Sequence, residues 1–186
     1  NGEEIHYWGA QMEAGSFPSS YIPTSGSSVT RAADNAKITG TNFTDWYNAS
    51  EGTIFTESRL YTVTSTQNFT EIQIDDGTQS NRIFHYIAQS SDTGKFQAWG
   101  ADVNVSGITV TPGTDFKHSS SYNSQSYITC LDGQLSPEGN TGTQVSLTEA
   151  KLGYNHSNNY LNGHIRKLSY YPKRLPNAQL QGLTQQ

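Results

Sequence analysis

The chain has 186 residues, 11 Lys and Arg against 16 Asp and Glu, and a formal net charge of −5, a length that fits one domain plus a short piece of a neighbour. The mild acidity argues against nucleic acid, whose phosphates demand a basic patch, and no apolar run approaches the roughly 20 residues of a membrane helix. Leu, Ile, Val and Phe number only 34, but 11 Tyr and 3 Trp restore large buriable area, so the composition is that of a folded chain.

In chain order, runs of Thr, Ile, Phe, Tyr and Val alternate with Gly, Ser, Asn and Asp, the pattern of an all-β protein. Strands are predicted over 5–11, 52–61, 70–76, 81–89, 95–102, 104–110, 116–123, 125–133, 149–155 and 163–172. Between 15 and 34 periodicity is absent and two prolines occur, so this stretch reads as an extended linker. Asp76-Gly77, Pro112-Gly113 and Asp132-Gly133 mark turns. Some ten short strands suggest two packed sheets, because one open sheet would leave wide apolar faces bare. Leu175, Leu180 and Leu183 could form one face of a short C-terminal helix. With neither a starting Met nor a signal-peptide pattern, the sequence is expected to begin inside a longer or processed polypeptide. Cys130, the single cysteine, rules out an internal disulfide and reads as a small buried residue.

The segment 7–34, "YWGAQMEAGSFPSSYIPTSGSSVTRAAD", resembles the junction between modules in tail-fibre and other adhesive virion proteins of bacteriophages. The stretches 51–55, 75–83, 116–133 and 160–184 resemble the concanavalin A-like lectin or laminin-G-like module that follows such a junction. The resemblance implies a junction strand and linker over 1–34, then over 35–186 a two-sheet antiparallel jelly-roll sandwich with a short C-terminal helix. It also implies an extracellular virion location, frequent glycan binding, and other virion subunits as partners; it carries no catalytic residues. Pro176 and Asn177 depart from the Ser or Thr cap expected ahead of the last helix.

The chemistry centres on "EIQIDDG", residues 71–77. Residues two apart on a strand share a face, which predicts Glu71, Gln73 and Asp75 facing out with Ile72 and Ile74 inward. Retaining hydrolases of the laminarinase type carry Glu-x-Asp-x-Glu on such a strand, but here Gln73 replaces the central Asp and Asp75 the last Glu. Retention also needs carboxyls about 5–5.5 Å apart, against about 13 Å between backbones at i and i+4. Extending the phase to neighbouring strands adds Arg82, Phe84 and Tyr86, then Gln97 and Trp99, to the same face. Aromatic faces stack on pyranose rings, while amides, carboxylates and Arg hydrogen-bond hydroxyls. The expected ligand is therefore a polysaccharide or cell-surface glycan bound without catalysis by Glu71, Gln73, Asp75, Arg82, Phe84, Tyr86, Gln97 and Trp99. The competing reading puts Phe84 and Tyr86 in the core; a ligand-free fibre module and a glycan hydrolase or lyase are the functional alternatives. Trp8 is expected to be buried. His6, His85, His118, His156 and His164 show no metal-ligand spacing. No cofactor is expected, calcium at Asp75, Asp76 or Asp132 being the option that lectin-like sandwiches leave open.

Overall fold

The computed structural model describes residues 2, 4–14, 20–30, 35–63, 66–88, 93–98, 101–140, 146–157 and 159–185. The chain divides into two compact units, Asn1–Asp34 and Asn35–Gln186. The described part of the first unit contains no strand, so the one predicted over 5–11 does not form. Trp8 is 87% exposed rather than buried, and lies beside Tyr21, with ring centroids 5.4 Å apart.

The second unit is built from β1 (Ala36–Thr39), α1 (Thr41–Thr44), β2 (Glu51–Leu60), β3 (Phe69–Asp75), β4 (Arg82–Ile87), β5 (Gly94–Ala98) and β6 (Ala101–Asn104). There follow β7 (Asp115–Asn123), β8 (Ser126–Leu131), β9 (Gln134–Leu135), β10 (Gly139–Asn140), β11 (Glu149–Leu152), β12 (Gly163–Tyr171) and α2 (Asn177–Thr184). One sheet has the order β1-β11-β3-β4-β5-β6 and the other β10-β8-β7-β2-β12, with β9 beside β8. The result is an all-β, two-sheet antiparallel jelly-roll sandwich. The strand predicted over 95–102 is two, β5 and β6, and most of 104–110 is not strand.

Alternation explains the core. Ile54 on β2, Ile72 and Ile74 on β3, Ile83 on β4, Phe96 on β5 and Tyr122 on β7 meet between the sheets. Leu60, Phe69, Ile87, Phe116 and Leu131 extend the layer. Each such side chain is worth about 1.5–3 kcal/mol by burial. On the far side of the second sheet, Leu175 and Leu180 cover Ile128 and Cys130. Pro176 is the N-cap of α2 and makes no side-chain cap bond; its fixed φ suits a helix start. Asp132 and Gly133 take φ 45° and 82°, the left-handed pair of the tight β8–β9 hairpin turn.

One irregularity positions the functional residues. Thr70 pairs with Tyr86 but Ile72 pairs with His85, a register shift that leaves Glu71 as the extra residue of a β-bulge. Strict alternation therefore fails at this point. Gln73 and Asp75 point to the outer face of the first sheet, while Glu71 turns in between the sheets, against Thr56, Ser58 and His118 of the second. The expectation that Glu71 shares a face with Gln73 and Asp75 is overturned by this one inserted residue.

Candidate functional site

The outer face of the first sheet is organised in lateral rows set by strand register. One row runs Lys151, Gln73, Phe84, Gln97, Asp102 across β11, β3, β4, β5 and β6. A second runs Glu149, Asp75, Arg82, and a third Thr70, Tyr86, Lys95, Asn104. The sequence thus places Gln73, Asp75, Arg82, Phe84, Tyr86 and Gln97 together on one face, as expected. Trp99 lies outside the described residues.

The face is not the open aromatic platform expected. Phe84 and Tyr86 are 2% and 4% exposed, and Gln73 and Asp75 are fully buried. Their strands are central, with neighbours on both sides. The segment after β11 also comes close, with His156 Nε2 3.7 Å from Asp75 and Gln79 hydrogen-bonded to Ser157. Phe84 and Tyr86 stack at 4.0 Å and 10°, forming a floor; Arg82, Lys95 and Gln97 are half-buried around it and Asp102 is exposed. Two polar groups in this floor, the Thr70 hydroxyl and Gln73 Oε1, have no hydrogen-bond partner among the described residues, a state rare enough in buried groups to need a reason.

The charges on this face are unequally committed. Lys151 Nζ lies 2.7 and 2.6 Å from the two oxygens of Asp75 and also bonds Glu149. Gln73 Nε2 donates to Asp75 at 2.6 Å, and the Gly77 amide at 2.8 Å. Burial pulls the Lys151 pKa down, but its bonds to Asp75 and Glu149 outweigh this and leave it raised. Arg82, directly across from Asp75 in the register, is left out. Its Nε donates to Gln97 Oε1 at 2.6 Å and its guanidinium carbon lies 4.9 Å above the Phe84 ring. Desolvation lowers the Arg82 pKa, offset only in part by Tyr86, Asp102 and Asp75.

Beneath this face lies a second constellation, which the sequence reasoning missed. Thr56 and Ser58 donate to Glu71 Oε1 at 2.6 and 2.8 Å, and His118 Nδ1 lies 2.6 Å from Oε2. His118 Nε2, Thr129 Oγ1, Ser120 Oγ and His85 Nδ1 follow at 2.7, 2.7 and 2.8 Å. His85 Nε2 closes the ring, 3.1 Å from Thr56 Oγ1 and 3.3 Å from Glu71 Oε2. All seven residues are fully buried.

Counting protons assigns the donors. Thr56 and Ser58 spend theirs on the Glu71 carboxylate. Thr129 Oγ1 donates to the Ser119 carbonyl at 3.0 Å, so at the ring it accepts from His118 Nε2. His118 is thus held at both ring nitrogens, Nδ1 by the Glu71 carboxyl and Nε2 by Thr129. Burial, with the charge of His118, pushes the His85 pKa well below its ordinary value, in keeping with a neutral ring.

Neither catalysis nor metal binding suits this ring. Ser120, His85 and Glu71 form the hydroxyl–imidazole–carboxylate succession of a hydrolase, but none of the three is exposed to a substrate. Donor atoms of Glu71, His85 and His118 fall within 4.8 Å of one another. The two imidazoles, however, are stacked at 3.7 Å and 22°, so their in-plane lone pairs run side by side instead of converging. The 2.6 Å contact is also shorter than the about 3.3 Å between neighbouring ligands of a tetrahedral zinc. The carboxylate-rich trio Asp75, Glu149 and His156 already holds a cation, the Lys151 ammonium, which displaces the calcium expectation at Asp75. Asp76 accepts from Thr78 and Asn81, bonds that lower its pKa, and Asp132 accepts from the Lys117 amide.

The architecture is the concanavalin A-like jelly roll. No protein-family model matches the sequence, and no curated protein matches it. Among solved structures, the CBM40 module of the Ruminococcus gnavus IT-sialidase, bound to α2,3-sialyllactose, has a TM-score of 0.60 at 12% identity, over 74% of this chain and 84% of that one. NanB sialidase from Streptococcus pneumoniae reaches 0.59 at 11% identity, over 78% of this chain and 26% of that one. Domains LG4-5 of mouse laminin α1 reach 0.51 at 11% identity, over 69% and 37%. At such identities the likeness is one of fold.

Proposed function

We propose that residues 35–186 form a non-catalytic carbohydrate-binding module that takes glycans on the outer face of the first sheet. The observation that carries this reading is a face of hydrogen-bonding side chains, Arg82, Gln97, Lys95 and Asp102, pre-positioned around a buried, stacked Phe84–Tyr86 floor. The shared fold supports it, since the CBM40 module above is seen with sialyllactose bound. The carboxylate-ladder reading has no support in the geometry, because the sheet itself separates Glu71 from Gln73 and Asp75.

A shallow face of this kind gives weak single-site affinity, about 1 mM, raised by presentation in several copies. The resemblance of 7–34 to a fibre junction supports the finer reading, a module of a phage virion protein contacting host glycans. The test is a glycan array probed with multimerised wild-type domain, Gln97→Ala and Trp99→Ala. Binding that depends on Gln97 or Trp99 is the expected result. An array with no binding, or binding indifferent to both substitutions at unchanged melting temperature, removes the site.

A further inference from the structure

Among the described residues Arg82 is kept without a counter-ion, by an arrangement that reaches across three strands. The register places Asp75 directly opposite it, the natural partner for a half-buried guanidinium. Lys151, entering from β11 on the other side, occupies both Asp75 oxygens at 2.6 and 2.7 Å. The remaining bonds to Asp75 come from Gln73 and the Gly77 amide. Asp102, the other carboxylate near Arg82, accepts from Tyr86 Oη at 3.2 Å and lies outside ion-pair distance of Arg82. The guanidinium is instead held by two neutral groups, the Gln97 amide oxygen at Nε and the Phe84 ring at 4.9 Å. No ion pair forms to Arg82 among the described residues, and its terminal nitrogens have no acceptor there.

A cation held over an aromatic ring, partly desolvated and without an ion pair among the described residues, is an anion receptor. Its free edge presents the parallel donors that a carboxylate accepts in pairs. We infer that Arg82 selects glycans bearing an acidic sugar, its terminal nitrogens pairing with the sugar's carboxylate while the sugar body rests along the Gln97 side of the face. This inference rests on the carbohydrate-binding reading and specifies its ligand class. Lys151 acts as a positioning residue: it touches no ligand, and by holding Asp75 it stops Arg82 from being neutralised from within.

The experiment is titration calorimetry with matched pairs: sialyllactose against lactose, cellobiouronic acid against cellobiose, and sulfated lactose as the second anion. Acidic members should bind about tenfold or more tightly than their neutral parents, with the preference falling as salt rises and vanishing in Arg82→Gln. Arg82→Lys should retain charge attraction but lose most of the preference for carboxylate over sulfate. Lys151→Met should lower acidic-glycan binding by releasing Asp75 onto Arg82, and Asp75→Asn in that background should restore it. Should Lys151→Met fail to fold, Arg82→Gln, at the rim, still decides. Neutral glycans binding as well as acidic ones, or a preference unchanged in Arg82→Gln, overturns the inference and leaves glycan binding standing. No binding by any glycan overturns both.

Discussion

Glu71 and His118 meet at 2.6 Å, carboxylate oxygen to Nδ1, with neither side chain exposed to solvent. A buried carboxyl–imidazole contact of this kind is supported by what surrounds it: two hydroxyls on the other carboxyl oxygen and Thr129 on the far ring nitrogen. Removing either member strands the other in the low-dielectric space between the sheets.

Glu71→Gln should therefore lose about 3–5 kcal/mol of stability, read from urea unfolding. That is a large part of the 5–15 kcal/mol typical of a domain. The same substitution would ordinarily be made to test a catalytic carboxylate, and here lost activity would report unfolding instead. A stability change below about 1 kcal/mol would show that the pair is not formed.

Acid should weaken the fold through His85. Its folded pKa lies well below the ordinary 6.5, chiefly from burial, so the native state holds it neutral while the unfolded chain gains a proton below about pH 6.5. The contribution is fully present above that pH and is lost as pH falls, by up to about 1.4 kcal/mol per unit. Unfolding free energies at pH 7, 6 and 5 should show this slope, and His85→Gln should flatten it even though the variant is less stable throughout.

Gly94 is required by the neighbour it touches. A Cβ there would lie 2.8 Å from His118 Nε2 and 3.2 Å from Leu131 Cβ. Gly94→Ala should destabilise by about 1–3 kcal/mol as the overfilled site pushes on the ring of hydrogen bonds. A substitution of equal size at Gly77, which has nothing within 4 Å, meets no such clash, although its φ of 90° carries its own strain.

Cys130 reports on α2. It is fully buried under Leu180, 3.2 Å from the Thr184 hydroxyl, and burial raises its pKa. The native thiol should resist an aromatic disulfide reagent. Leu180→Ala should cost about 2–5 kcal/mol and make Cys130 react much faster; unchanged reactivity would mean that α2 does not guard it.

The sandwich was legible because period-2 alternation is a strong signal wherever one strand face is apolar. It served for Ile83 and Ile87 against Arg82, Phe84 and Tyr86, and for Phe96 against Lys95 and Gln97. The bulge at Glu71 was not legible, since an inserted residue breaks the phase without altering composition. The exposure of Phe84 and Tyr86 was misjudged for another reason: strand order, which makes them central, depends on pairings between distant segments. Nor did spacing along the chain bring His85 and His118 together. One signal was nevertheless present. Thr56 and Ser58 sit between Ile54 and Leu60, His85 between Ile83 and Ile87, His118 and Ser120 between Phe116 and Tyr122, and Thr129 between Tyr127 and Leu131. Four strands each place polar residues in an apolar phase, and such residues must find one another.

The bulge in β3 also sets a rule for anyone redesigning the outer face. Residues that share it on this strand are Thr70, Gln73 and Asp75, spaced three and then two apart. A catalytic Glu-x-Asp-x-Glu motif written onto positions 71, 73 and 75 would bury its first acid on the wrong side of the sheet. Grafting such a motif here means first deleting one residue from β3, and that deletion would remove Glu71 from beneath the strands it joins.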